Sequence, residues 1–142
     1  MNQRYQLLEH RIKEFNHPLV NTAQTRCDEN EFDQLEVALY DHKGQPIVHD
    51  EILPPFYITG IRLEKTGGAL HIDHFYLEPA YHRKRIGSSF IEMLASASAQ
   101  DGLNKMSLFI DPKTDSTSFW LKRGFIVVPR HHSQVYLERT LF

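Results

Sequence analysis

The chain has 142 residues, of which 41% are hydrophobic and 24% charged, with a net charge of −2 and one cysteine. A chain of that size can bury its own core without disulfides or metal, and the near-balanced charge gives no reason to expect a nucleic-acid or anionic-membrane partner. The single cysteine, Cys27, excludes an internal disulfide framework and suits a reducing compartment.

In chain order, Tyr5, Leu8, Ile12 and Phe15 recur at spacings of three and four, which predicts a helix ending near Asn16, ahead of His17-Pro18. Residues 19–31 are polar and fit no element. Leu35 to Tyr40 alternates as a strand, Asp41-His42-Lys43-Gly44 signals a turn, and Pro46-Ile47-Val48 returns as a short strand. After Pro54-Pro55, residues 56–63 are β-rich, and the turn Thr66-Gly67-Gly68 leads into a strand from Ala69 to Leu77, stopped by Pro79. Ile86, Phe90, Ile91, Leu94 and Ala97 share one helical face up to about Gln100, and Gly102 is a C-cap signal. A strand over Met106 to Ile110 follows. Asp115 or Ser116 can cap a short helix through Lys122, which Gly124 closes. Strands over 125–128 and 135–141, joined by a polar loop with His131 and His132, finish the chain. This order predicts an α+β fold: interrupted antiparallel strands with one central strand-helix-strand unit. The chain start has no signal-peptide core, no run approaches the ~20 apolar residues that cross a bilayer, and no repeat or linker divides it. Residues 1–142 are therefore read as a single cytoplasmic domain.

The passage with chemistry in it runs from Ala69 to Phe90. A strand passes through the basic loop His82-Arg83-Lys84-Arg85-Ile86-Gly87 into a helix whose N-terminal amides and partial positive charge suit an anion, phosphate above all. Gly87 lets a ligand approach the backbone. On spacing alone a solvated basic turn explains the same residues.

Leu77-Glu78-Pro79-Ala80-Tyr81-His82-Arg83-Lys84-Arg85-Ile86-Gly87-Ser88 resembles the signature of the GNAT superfamily of N-acetyltransferases. Members of that family show a hydrophobic strand, a proline, an aromatic, then Gln/Arg-x-x-Gly-x-Gly/Ala. Ser118-Phe119-Trp120-Leu121-Lys122-Arg123-Gly124-Phe125 is similar to the family's helix-to-strand block, and the two together cover about residues 35–142. The resemblance implies a mixed, mostly antiparallel sheet of about six strands, flanked by helices and splayed at its central strand. Acetyl-CoA would enter the splay as co-substrate. Phe75, Tyr76 and Leu77 would pair with its pantetheine arm, with an amide near Phe75 facing the thioester oxygen. The amides of His82, Arg83, Lys84, Arg85, Ile86, Gly87 and Ser88 would hold the pyrophosphate.

Three positions depart from the family pattern. His82 replaces Gln or Arg. Arg85 replaces the first glycine, and can present its N–H in the usual way provided its φ is negative. Trp120 stands where a tyrosine often protonates the leaving thiolate; its indole is no acid, and it either packs on the pantetheine or belongs to the core. His71 matches the position where some relatives carry a glutamate base, and Asp73, two residues along the same strand face, could assist it. An ordinary pair of sheet residues is the competing reading. No metal is expected, because on a strand His74 points away from His71 and Asp73.

The resemblance implies transfer of an acetyl group to a primary amine of a small molecule or peptide by direct attack, with no cysteine or serine elbow for a covalent route. The alternative is a non-catalytic acyl-CoA sensor or protein-interaction domain of the same fold. Residues 17–31 and 129–134 would form the acceptor site. The N-terminal helix is expected to dock on the sheet, or to serve a homodimer as its contact surface.

Overall fold

The computed structural model of the protein describes residues 5–28, 34–48, 61–73, 84–113, 117–131 and 133–141. In chain order these form α1 (Gln6–Lys13), β1 (Thr22–Asp28), β2 (Gln34–Tyr40), β3 (Pro46–Val48), β4 (Ile61–Thr66), β5 (Ala69–Asp73), α2 (Ile86–Gln100), β6 (Lys105–Ile110), α3 (Thr117–Lys122), β7 (Ile126–Val127) and β8 (Val135–Thr140). The strands form one sheet in the order β1-β2-β4-β5-β6-β8-β7, with β3 paired onto β2 off that path. Among the described residues β5 with β6 is the parallel pairing, Ala69 opposite Lys105 through Ile72 opposite Leu108, and the others are antiparallel. A parallel pair needs a crossover, and α2 supplies it.

Period-two alternation divides the sheet into two faces. Leu35, Val37 and Leu39 of β2, Leu63 of β4, Leu70 and Ile72 of β5, Met106 and Leu108 of β6 and Leu137 of β8 enter the main core. Leu8 and Ile12 of α1 and Phe90, Ile91 and Leu94 of α2 are buried in the same core. Tyr5 caps this arrangement from the start of α1. The Lys65 N–H donates to the Tyr5 hydroxyl at 3.1 Å, which ties the start of α1 to β4.

The two helix ends marked by glycine close as expected. Gly102 and Gly124 have φ of 83° and 90°. Leu103 N–H bonds to the Ser98 carbonyl and Phe125 N–H to the Trp120 carbonyl, so in each case the residue after the glycine folds back over the helix end. Arg139 of β8 ties the end of α3 to the middle of α2. Its guanidinium makes a two-pronged ion pair with Glu92 of α2, at 2.8 and 3.0 Å, and donates to the Arg123 carbonyl at 2.9 Å. Those bonds hold the Glu92 carboxyl below its ordinary range.

The expected element order holds with one addition. β1 occupies residues that fit no element by pattern, so five strands precede α2 rather than three or four, and the sheet has eight strands among the described residues rather than about six. Among the described residues β1 is an edge strand, with a neighbour on one side only. Its inward positions, Ala23, Thr25 and Cys27, are small and half-buried, which blurs the apolar alternation of an ordinary strand. The first helix is two to three residues shorter than expected, ending at Lys13. The segment after Asp73, where the sheet would splay, lies outside the described residues.

Candidate active site

The N-terminus of α2 is built around Arg85. Its φ of 65° and ψ of 11° are left-handed, and among the described residues it is the one non-glycine residue with positive φ. The condition of a negative φ for Arg85 is thus not met: it takes the left-handed conformation that favours glycine. A left-handed conformation costs an L-residue about 1–2 kcal/mol. The Arg85 carbonyl opens the helix by accepting the Ser89 N–H at 3.0 Å, and the Ser88 hydroxyl also donates to it at 3.2 Å.

Among the described residues no side chain caps this end, and the first turn carries no acidic residue. The amides of Ile86, Gly87 and Ser88 precede the first helical bond, and Lys84 and Arg85 are exposed beside them. Ile86 and Gly87 are buried, which anchors the terminus to the core. A helix N-terminus with two cations beside it suits an anion such as phosphate. We expect Arg85→Gly to be more stable than Arg85→Ala by about 0.5–1 kcal/mol, since glycine relieves the strain and gives back part of it in unfolded-chain entropy. Urea denaturation of the two variants measures this; equal midpoints would mean that φ is not held positive.

The position of this terminus follows from the crossover. α2 ends at Gln100, and the Asn104 N–H bonds to the Gly68 carbonyl at 2.9 Å, placing the end of α2 beside the start of β5. A fifteen-residue helix spans about 22 Å and the six residues of β6 about 20 Å, so the start of α2 lies level with the carboxyl ends of β5 and β6.

His71 lies on the sheet face away from Leu70 and Ile72. The register aligns Glu64, His71, Ser107 and Glu138 in one row across β4, β5, β6 and β8. His71 Nδ1 lies 3.0 Å from the Ser107 hydroxyl, and Phe109 meets the imidazole edge-on at 5.8 Å between centroids. Ser107 is 4% exposed. Burial pushes the His71 imidazolium below its ordinary pKa, against the opposing pull of Asp73 and Glu64. Asp73 is exposed on the same face and acts on His71 through its charge. Further along, Phe109 packs on Tyr136 at 4.9 Å, and Arg130 lies over the Tyr136 ring at 4.1 Å. The Tyr136 hydroxyl and Lys105 both donate to Glu138 at 2.8 Å, which holds that carboxyl below its ordinary range, Lys105 contributing most.

Trp120 is 3% exposed, with Phe119 and Phe125 edge-on to its ring at 5.0 and 5.2 Å. Phe75, Tyr76, Leu77, His82 and Arg83 lie outside the described residues, as does His74. No group of three or more His, Cys, Asp or Glu that could hold a metal ion occurs among the described residues. None of the described helices is long and apolar enough to cross a membrane. Ser107 and Glu64 were not singled out by sequence; strand alternation puts each on a polar face, but only the register brings them to His71.

The pattern of the family described as an acetyltransferase (GNAT) domain matches residues 57–136, more than half of the chain. No curated protein sequence matches it. Among solved structures, PaiA N-acetyltransferase from Thermoplasma acidophilum, in complex with coenzyme A, is similar with a TM-score of 0.58 at 19% identity, over 75% of this chain and 59% of that one. The chain therefore spans less than two thirds of that relative. A GNAT-family acetyltransferase from Staphylococcus aureus gives 0.61 at 12% identity, over 77% and 68%. IAA acetyltransferase from Bacillus cereus gives 0.61 at 11% identity, over 84% and 98%. At these identities the likenesses carry the fold alone.

Proposed function

The chain belongs to the GNAT acetyltransferase family, and from that premise we propose that it transfers an acetyl group from acetyl-CoA to a primary amine of a small molecule or peptide, as a cytoplasmic protein. The observation that carries this reading is the uncapped start of α2 with Lys84 and the left-handed Arg85. It offers the pyrophosphate of CoA both amides and cations at the carboxyl ends of the parallel strands. As the resemblance implies, Phe75 to Leu77 would pair with the pantetheine arm, and the thioester would face the side of the sheet that carries His71.

His71 is the base. In the tautomer that donates Nδ1–H to Ser107, Nε2 carries the lone pair and takes a proton from the attacking amine. The amine nitrogen bonds to the carbonyl carbon, the carbon–sulfur bond breaks, and the sulfur leaves as thiolate to be protonated by water. Asp73 and Glu64 stabilise the imidazolium formed in this step, and their charge favours a cationic acceptor approaching it. Trp120 packs the helix-to-strand block beneath the site and donates no proton.

Incubation with acetyl-CoA and a panel of polyamines, aminoglycosides, amino acids and peptides tests the reading. Amine-dependent thiol release with an N-acetylated product is expected. The buried Trp120, in place of an acidic tyrosine, favours one rival, a CoA-binding sensor. That rival predicts tight CoA binding with no thiol released for any amine.

A further inference from the structure

His17 lies in the turn after α1, far in sequence from the loop that opens α2, yet its Nε2 is 2.9 Å from the Lys84 carbonyl. Its Nδ1 is 3.1 Å from the Leu19 N–H. A backbone N–H must donate, so Nδ1 carries the lone pair. Nε2 then carries the proton and donates it to Lys84. Both ring nitrogens are used, and the tautomer is fixed by geometry.

The turn that carries the ring is itself anchored. Val20 N–H closes it onto the His17 carbonyl at 3.0 Å, with Pro18 at its second position. His42 bonds to the Pro18 carbonyl at 3.0 Å, and Asn21 N–H bonds to the Tyr40 carbonyl at 2.8 Å. The ring is thus held from β2 and from the β2–β3 turn.

The Lys84 carbonyl belongs to the peptide plane whose rotation sets φ of Arg85. In a trans peptide the N–H points opposite to the carbonyl. Holding the Lys84 carbonyl toward His17 therefore aims the Arg85 N–H away from it and keeps Arg85 in its left-handed state. Strained φ values persist where surrounding contacts over-determine them.

We propose that His17 is a positioning residue for the acyl donor: its Nε2–H holds the Lys84–Arg85 peptide in the orientation that receives the CoA pyrophosphate. This rests on the reading of the α2 terminus as the CoA site. The residue acts through the loop and does not touch the reacting atoms.

Calorimetric titration of CoA into the folded protein and its variants tests it. His17→Ala is expected to raise the Kd for CoA, and the KM for acetyl-CoA, by about tenfold, while kcat at saturating donor and the acceptor KM stay within about twofold. His17→Gln, whose side-chain amide can still donate to Lys84, is expected to restore most of the affinity. The effect of His17→Ala should shrink to about twofold or less in an Arg85→Gly background, because glycine keeps the left-handed conformation unaided. Unchanged CoA affinity in His17→Ala, or the same loss in both Arg85 backgrounds, overturns the role of His17 alone. No CoA binding by the unaltered protein removes the site and this inference together.

Discussion

His71→Ala is expected to lower kcat by about 10²–10⁴-fold, the usual worth of a positioned base, and to leave the Kd for CoA within about twofold. The two effects should separate because His71 lies on the face opposite the core, in the row Glu64, His71, Ser107, Glu138, whereas the proposed anion site is the start of α2. The pH profile gives the independent signature. Burial disfavours the imidazolium, so the neutral base persists below the ordinary histidine value of 6.5. In the unaltered protein kcat/KM should rise with pH along a limb centred below 6.5, and in His71→Ala that limb should vanish. Ser107→Ala, which removes the Nδ1 partner, should reduce kcat by a smaller factor and move the limb. Retention of both rate and limb in His71→Ala would assign the base elsewhere.

Phe90→Ala destabilises the fold by about 3–5 kcal/mol. Phe90 is 0% exposed on the buried face of α2, and its ring meets Phe15 edge-on at 5.2 Å, which joins the end of the α1 segment to the helix. A domain of this size has about 5–15 kcal/mol of stability in all, so one ring removes a large share of it. The loss would reflect transferred area and an unfilled cavity, since Ile86, Phe90, Ile91 and Leu94 of α2 are buried together in the core. Ile126→Ser is the contrast. Ile126 is 63% exposed on the edge strand β7, and its replacement should cost less than about 0.5 kcal/mol. Urea midpoints of the two variants decide the matter; similar midpoints would place Phe90 outside the core.

The parts of the fold that were legible in the sequence are those where a local rule and the tertiary outcome agree. α2 could be read from its apolar face and from Gly102, and both its ends fall where that pattern puts them. α3 could likewise be read with Gly124, and the strands on either side of Gly67-Gly68 were found, although β4 runs on to Thr66, which was read as part of the turn, and residues 56–60 and 74–77 lie outside the described residues. β1 was not legible because an edge strand of small, half-buried residues, Ala23, Thr25 and Cys27, lacks the apolar contrast that period-two reading needs. The loop at Lys84 and Arg85 could be found through its resemblance to the GNAT signature, but its backbone could not. A run of basic residues does not reveal that Arg85 takes a left-handed φ, nor that His17, 67 positions away, bonds to the Lys84 carbonyl. His71 was visible as a candidate from strand alternation. Its partner Ser107, 36 residues on, became visible only once the parallel register of β5 and β6 was known.

The central claim is that the start of α2 is a CoA site, and the most direct measurement is calorimetric titration with CoA beside pantetheine, which lacks the pyrophosphate and nucleotide. The site as built here predicts saturable one-to-one binding of CoA, pantetheine weaker by at least about tenfold, and weakening of CoA binding by salt as its phosphate contacts are screened. Absence of CoA binding at millimolar concentration, or equal affinity for CoA and pantetheine, would contradict it.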